Sequence, residues 1–181
     1  SCRSRATKVA WAGARVSTSD GRSVSTDADG RFAVEVDEGS RVTAAAEGPG
    51  DAAYLVHAYR APEATHPDFY PLVLLNAAFA GGSSLGFFAG AGSNKSSRLY
   101  RHLVASDLAA SAGGSMTPTV DPYLYRISAV ARPGRSLQEI EAALDRAIAE
   151  LASEPITQAE LDKALKRAKA QFVMAGESVT G

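Results

Sequence analysis

Metal-assisted hydrolysis depends on side chains such as histidine, and this chain contains three histidines. They are His57, His66 and His102. A zinc hydrolase commonly carries His-Glu-x-x-His or its inverse on one helix, which brings two imidazoles and a carboxylate base to one face. Neither pattern occurs in this sequence, and the three histidines fall in a predicted strand, a helix start and another helix. We therefore expect no metal site and no catalytic residue in this chain.

Three other patterns approach a known site without completing it. A phosphate-binding loop needs glycines where residues 89–96 carry Ala89 and Asn94. The run Asp27-Ala28-Asp29-Gly30 begins like a calcium loop but lacks the later oxygen ligands, so a hairpin turn explains it better. There is no Gly-x-Ser-x-Gly elbow, and the single cysteine, Cys2, lies beside the N-terminus. The sequence contains no self-sufficient catalytic set.

The most unusual stretch is the glycine-rich segment, residues 81–97, which reads GGSSLGFFAGAGSNKSS. Five glycines around two adjacent phenylalanines give a backbone that can approach a peptide closely and pair through free N–H and C=O groups. The alternative is a flexible connector whose phenylalanines fill the core. Both interpretations stay open at this point. The candidate substrate-binding residues of this segment are Gly81, Gly82, Gly86, Phe87, Phe88, Gly90 and Gly92.

Composition excludes several classes of protein. The 181 residues are 45% hydrophobic and 22% charged, which fits one globular domain with a small appendage. A net charge of -1 makes nucleic acid an unexpected partner. The longest apolar run, residues 70–88, is interrupted by Pro71, Asn76 and several glycines, so we expect no membrane span. The start at Ser1 and the stop just after a helical pattern indicate part of a longer protein. Its compartment stays open, with the cytoplasm favoured.

Residues 51–181 alternate strand and helix signals. The two clearest helices are opened by capping boxes, Ser136–Glu139 and Thr157–Glu160. The resulting order, β-α-α-β-β-α-α, predicts an α+β two-layer sandwich with a mostly antiparallel sheet and helices on one face. The predicted strands cover residues 54–60, 108–115 and 123–132, and the predicted helices cover about 68–80, 97–106, 137–151 and 157–172.

Residues 1–50 have a different texture, with short β-branched runs separated by Asp20-Gly21, Asp29-Gly30 and Glu38-Gly39. Such dipeptides are typical of tight turns, so two or three short strands are expected here. The run Glu47-Gly48-Pro49-Gly50-Asp51 predicts a boundary. We therefore divide the chain into a small β-hairpin region, residues 1–50, and an α/β domain, residues 51–181.

Residues 52–181 resemble the M16 family of zinc metallopeptidases, the pitrilysin, insulin-degrading and mitochondrial-processing type. The resemblance rests on a Ser-Arg-Leu-Tyr run behind a glycine-rich loop and on a Pro-x-Thr-x-x-Glu-Leu helix start about 55 residues later. Other matching runs are residues 54–62, 66–68, 121–123, 168–172 and 177–178. The resemblance implies a non-zinc domain that encloses unfolded peptide beside a zinc-bearing domain or subunit, with zinc held by that partner. A scaffold or assembly module without protease activity is the alternative.

The resemblance also bears on individual residues. In the family, a run like Leu-Arg-x-x-x-x-Leu-x-Tyr often supplies an Arg and a Tyr to the substrate, and here Val104 and Ala110 stand at those places. The glycine-rich loop resembles the one associated with substrate recognition in the mitochondrial processing peptidase. Arg98 and Tyr100 match the family run and join the candidate substrate-binding residues, with helix packing as their alternative role.

Two expectations concern the ends of the chain. Residues 26–32 with Glu38-Gly39 resemble the hairpin of carboxypeptidase-regulatory-like β domains, over about 35 residues. Near the C-terminus, part of the stripe formed by Leu161, Leu165 and Phe172 is expected to stay uncovered, which predicts self-association.

Overall fold

The computed structural model describes residues 7–8, 13–29, 31–34, 39–47, 53–81 and 95–176. Eight strands and three α-helices lie within these residues, together with a π-helical segment, Tyr100–Val104. The strands are β1 Thr7–Lys8, β2 Arg15–Thr18, β3 Ser23–Ser25, β4 Arg31–Phe32, β5 Val42–Glu47, β6 Ala53–Ala61, β7 Ala109–Ser115 and β8 Tyr123–Ala131. The helices are α1 Phe69–Phe79, α2 Leu137–Ser153 and α3 Gln158–Gly176.

Six strands form one antiparallel sheet in the order β3-β2-β5-β6-β8-β7. Its two longest strands, β6 and β8, are neighbours, and they pair from Tyr54 opposite Val130 to Ala61 opposite Tyr123. In β8 every second residue from Tyr125 to Ala131 is buried, as the alternating pattern predicts. Strands β1 and β4 form a separate two-stranded pair.

The helices pack on one side of this sheet. The core between the two layers joins Leu55 and Ile127 of the sheet to Phe69, Phe79, Leu99, Leu103, Ile140 and Leu144 of the helical layer. Helix α3 packs beside α1 through a small alanine cluster formed by Ala77, Ala78 and Ala164. The α+β two-layer architecture predicted from the sequence is therefore confirmed.

Both predicted capping boxes are formed. Ser136 Oγ accepts a hydrogen bond from the Glu139 backbone N–H, and the Glu139 carboxylate accepts one from the Ser136 N–H at 2.8 Å. Thr157 and Glu160 exchange the same pair of bonds at 3.3 Å and 2.9 Å. Each box satisfies two backbone donors that a helix start otherwise leaves free, which explains why α2 and α3 begin where they do.

Residues 13–47 contribute three strands to the same sheet as the α/β region. The turn after β2 closes with hydrogen bonds between Thr18 and Arg22, and the hairpin brings β3 beside β2. Strand β5 pairs with β6 along its whole length, from Val42 opposite Ala58 to Glu47 opposite Ala53. The division of the chain near residue 50 stays a prediction, and the strands on its two sides are hydrogen-bonded neighbours.

Candidate functional site

Most of the candidate substrate-binding residues belong to the glycine-rich segment. Gly82, Gly86, Phe87, Phe88, Gly90 and Gly92 lie outside the described residues. Of the predicted site residues, the structure places Gly81, Arg98 and Tyr100. Gly81 is buried directly behind α1 with a backbone φ of 70°, a left-handed conformation that glycine adopts without a Cβ clash. Helix α1 thus ends just before this glycine, which is also the first residue of the glycine-rich segment.

The guanidinium group of Arg98 is committed to bonds within the protein. Its Nε and Nη2 atoms donate to the two carboxylate oxygens of Glu160 at 3.0 and 2.9 Å. Its Nη1 donates to the Glu154 carbonyl at 2.7 Å, and Nη2 also reaches the Pro155 carbonyl at 3.2 Å. The side chain is only 5% exposed. Arg98 thus ties the segment's end to the α2–α3 connection, which supports its packing role, and substrate contact by this residue stays a prediction.

The contact between Arg98 and Glu160 also affects the pKa of Glu160. The hydrogen bond from Arg98 and those from Thr157 lower the pKa of Glu160 from 4.5 to about 2, so the carboxylate stays ionised far into the acid range. Glu160 therefore does two tasks: it closes the capping box of α3 and it neutralises a buried cation.

Tyr100 is the first residue of the π-helical segment. Its backbone N–H donates to the Ser97 hydroxyl at 3.2 Å, and its side chain is half-buried. Single π-turns occur often at functional sites, since they displace side chains from the regular helical register. No described contact assigns Tyr100 to a substrate, and its predicted role is untested.

Strand β7 forms one edge of the sheet. The two positions at which this sequence differs from the family pattern, Val104 and Ala110, lie shortly before this strand and within it. Ala110 lies exposed at a register shift between Ala109 and Ser111, and Val104 is half-buried at the end of the π-helical segment. Within the described residues, β7 pairs with β8 alone, so its outer edge is unpaired there. An unpaired edge of this kind can accept an extended chain as an added strand.

A buried polar contact joins α1 to the edge strand β7. Asn76 of α1 is fully buried; its side-chain Oδ1 accepts a hydrogen bond from the Tyr125 hydroxyl at 3.0 Å, and its Nδ2 lies 3.4 Å from the Gly114 carbonyl. Burial raises the pKa of Tyr125, which keeps its hydroxyl available as a donor. A Cβ at Gly114 would meet the Asn76 side chain, the Tyr125 hydroxyl and Ala80. Glycine at this position lets α1 approach β7 closely.

A second polar cluster lies between the sheet and α2, and the sequence pattern did not single it out. His57 of β6 is fully buried, with its Nε2 atom 3.8 Å from Glu141 Oε1 of α2. Arg41, just ahead of β5, is bonded to Asp145 and lies 3.9 Å from Glu141. The alternation of buried residues along β6 could have placed His57 on the helix-facing side, but nothing local identifies partners on α2.

The described residues contain neither a metal-binding cluster nor a membrane helix. Across residues 7–8, 13–29, 31–34, 39–47, 53–81 and 95–176, no group of three or more His, Cys, Asp and Glu side chains could hold a metal ion. Nor does any helix in this part of the chain have the length and apolar character to span a membrane.

Comparison with known proteins identifies the family. The family model of the peptidase M16 inactive domain matches residues 15–168. The chain therefore belongs to the family of peptidase M16 inactive domains. The match includes β2, β3 and β5, and so extends well into the region that the sequence set apart as an appendage. No curated protein matches the chain.

Solved structures agree with this assignment. A candidate zinc protease from Bordetella pertussis Tohama I is 28% identical, with a TM-score of 0.53 over 74% of this chain and 65% of that one. The inactive peptidase domain of a candidate zinc protease from Bordetella parapertussis is 27% identical, with a TM-score of 0.54 over 72% and 62% of the two chains. The chain thus spans less than two thirds of either structure. A Helicobacter pylori protease, 24% identical with a TM-score of 0.58 over 70% of this chain and 28% of its own, shares the fold.

Proposed function

We propose that this chain is a non-catalytic, peptide-enclosing domain of an M16-type zinc metallopeptidase and works beside a zinc-bearing domain or subunit. The unpaired edge of β7 is the observation that carries the proposal. It lies next to the helix that leads into the glycine-rich segment, and the Asn76–Gly114 contact joins the two. Family membership and the neighbours described as zinc proteases support a role in proteolysis.

The physical role of such a domain is that of a chamber wall. An extended peptide can add to the β7 edge through main-chain hydrogen bonds, which makes recognition tolerant of side-chain identity. Ser111 and Ser115 of β7 are exposed and uncharged, so this strand presents no charged side chain that would select against a particular sequence. The glycine-rich residues named above are proposed to contact the same peptide, and zinc is proposed to reside in the partner.

Two measurements test the proposal. The full chain is mixed with a fluorescent unstructured peptide, and anisotropy is recorded beside a matched peptide that is N-methylated on every second residue. Because N-methylation removes backbone donors without changing side chains, we expect the methylated peptide to bind at least roughly tenfold more weakly, as the loss of one or two net hydrogen bonds requires. Equal binding of the two peptides would exclude edge pairing.

The second measurement concerns catalysis. The chain alone is expected to leave the peptide intact, and chelator-sensitive cleavage is expected only after a zinc-bearing M16 protein is added. Chelator-sensitive cleavage by the chain alone would overturn the non-catalytic assignment. If a zinc-bearing partner binds the chain but cleavage never depends on the chain, the scaffold or assembly role becomes the better account.

Self-association is a further part of the proposal. Leu161 and Leu165 on α3 are only half-buried, which leaves apolar area available to a second copy or to the partner. Sedimentation velocity over a range of concentrations tests this, and a single monomeric species at high concentration would contradict it.

A further inference from the structure

His57 is unusual among the buried side chains of this protein. It lies in the middle of β6, is 0% exposed, and neither ring nitrogen has a hydrogen-bond partner among the described residues. Buried polar atoms in proteins are nearly always satisfied, because leaving one without a partner costs free energy. An imidazole held in this way therefore needs an explanation from its surroundings.

Charged groups surround the imidazole. From α2, Glu141 lies 3.8 Å from His57 Nε2, and Asp145 lies one turn further along the same helix. Arg41 is bonded to Asp145 and to Tyr59 and lies 3.9 Å from Glu141. The strand neighbours of His57, Thr43 on β5 and Ile127 on β8, carry no charge. The cluster thus lies between the sheet and α2, with one guanidinium and two carboxylates around the imidazole ring.

We propose that this cluster is a proton-operated latch, in which uptake of a proton by His57 places a second cation beside Arg41 in a buried site and so loosens α2 from β5 and β6. An imidazolium at this position competes with the guanidinium of Arg41 for the same carboxylate. The two cations also repel each other inside the protein, where screening is weak. The inference is independent of the proposed peptide binding, since it requires neither peptide nor zinc-bearing partner.

The direction of the pH effect follows from the environment of the ring. Burial, together with the positive charge of Arg41, lowers the pKa of His57 from 6.5 to about 4, and Asp145 opposes this shift only in part. Because the folded-state pKa lies below the unfolded value, the unfolded or opened state takes up the proton first. Closed packing of α2 is therefore fully favoured above pH 6.5 and loses stability as the pH falls toward 4.

Selective isotope labelling of histidine gives a direct readout, because the chain has 3 histidines. His66 and His102 have side chains that are 41% and 29% exposed, and they serve as internal references. We expect the His57 ring resonance to change near pH 4, together with lower amide protection factors in α2, β5 and β6, that is, faster exchange relative to the intrinsic rate at the same pH. Ring titration without a change in exchange at these elements, or titration at the ordinary value for histidine, would overturn the latch.

Variants separate the latch from general acid unfolding. His57→Leu cannot take up a proton, so the pH dependence of the α2 protection factors between pH 6.5 and 4 should disappear. Glu141→Gln keeps the ring but removes its acceptor, so the transition should move to lower pH, whereas Glu154→Gln, an exposed carboxylate at the end of the same helix, should leave it unchanged. If His57→Leu does not fold, the two glutamate variants decide. Equal behaviour of those two variants, or an unchanged transition in His57→Leu, would refute the proposal.

Discussion

Arg98 holds Glu160 with two parallel hydrogen bonds, Nε to Oε1 at 3.0 Å and Nη2 to Oε2 at 2.9 Å. The two residues are 62 positions apart in the chain, so the contact joins the end of the glycine-rich segment to the start of α3. A planar guanidinium and a carboxylate match each other in this geometry, which an ammonium group cannot reproduce. The pair is therefore a fixed anchor between these two parts of the chain.

Replacing Arg98 should show how much this anchor contributes. Arg98→Lys loses the bidentate bond and leaves two carbonyls without their donors, so we expect the free energy of unfolding to fall by about 3 kcal/mol. The control is Arg101→Lys, because Arg101 has a 57% exposed side chain and lies 3.9 Å from the same Glu160; its effect should stay within about 0.5 kcal/mol. Urea unfolding followed by circular dichroism measures both. Equal losses in the two variants would contradict the anchor.

The same pair makes stability depend on acid pH. The pKa of Glu160 is about 2 in the folded protein, below its ordinary value of 4.5. The stabilisation is therefore complete above pH 4.5 and is lost as the pH falls toward 2. The difference in unfolding free energy between the unchanged protein and Glu160→Gln should be constant from pH 7 to pH 5 and should shrink below that. A difference that does not vary down to pH 3 would show that the carboxylate is not held ionised by Arg98.

Two adjacent glycines in β7 provide a matched pair of substitutions. A Cβ at Gly114 would come within 2.7 Å of the Tyr125 hydroxyl and 2.8 Å of Ala80 Cβ, whereas a Cβ at Gly113 would meet nothing within 4 Å. We expect Gly114→Ala to destabilise the fold by about 1–3 kcal/mol through overpacking, and Gly113→Ala to be neutral or mildly stabilising because alanine loses less backbone entropy. Thermal unfolding of both variants is the measurement, and a reversed order would show that α1 does not approach β7 this closely.

We expect the buried hydroxyl of Tyr125 to contribute more to the free energy of unfolding than the hydroxyl of the exposed Tyr123. Tyr125→Phe keeps the ring but removes the donor to Asn76, which leaves a buried acceptor unsatisfied, so we expect a loss of about 1–2 kcal/mol. Tyr123→Phe removes the hydroxyl of a tyrosine on the same strand that is 46% exposed, and it should change little. Chemical denaturation of the two variants compares them directly. If Tyr123→Phe costs as much, the buried bond contributes nothing specific.

Local patterns predicted the elements well, for identifiable reasons. The capping boxes at Ser136 and Thr157 are complete within four residues, and the alternation in β8 is complete within nine, so each was visible without knowledge of the rest of the fold. The family resemblance drawn from the Ser-Arg-Leu-Tyr run is likewise confirmed. Such features depend on short-range hydrogen bonds and on which face of an element is apolar.

The site depended on pairings that no local pattern contains. The carboxylates near His57 come from a helix that begins 80 residues later in the chain. The partner of Arg98, Glu160, is also distant, 62 positions along the chain, so the sequence did not distinguish a surface cation from a buried anchor. Strand β5 could be recognised as a strand, but its pairing with β6 across the Gly-Pro-Gly run is a property of the assembled sheet. These pairings form only in the folded protein, where a partner distant in the chain removes the charge or the strand edge from water.

The pairing of β6 with β8 has a consequence for how this domain can change over generations. Residues 62–122 lie between the two partners and begin and end at neighbouring positions, Ala61 and Tyr123. The entropic penalty for closing such a loop grows only logarithmically, by about 0.6 kcal/mol for each doubling of its length. A change in length within a connection of this stretch therefore costs little free energy as long as the β6–β8 pairing is kept.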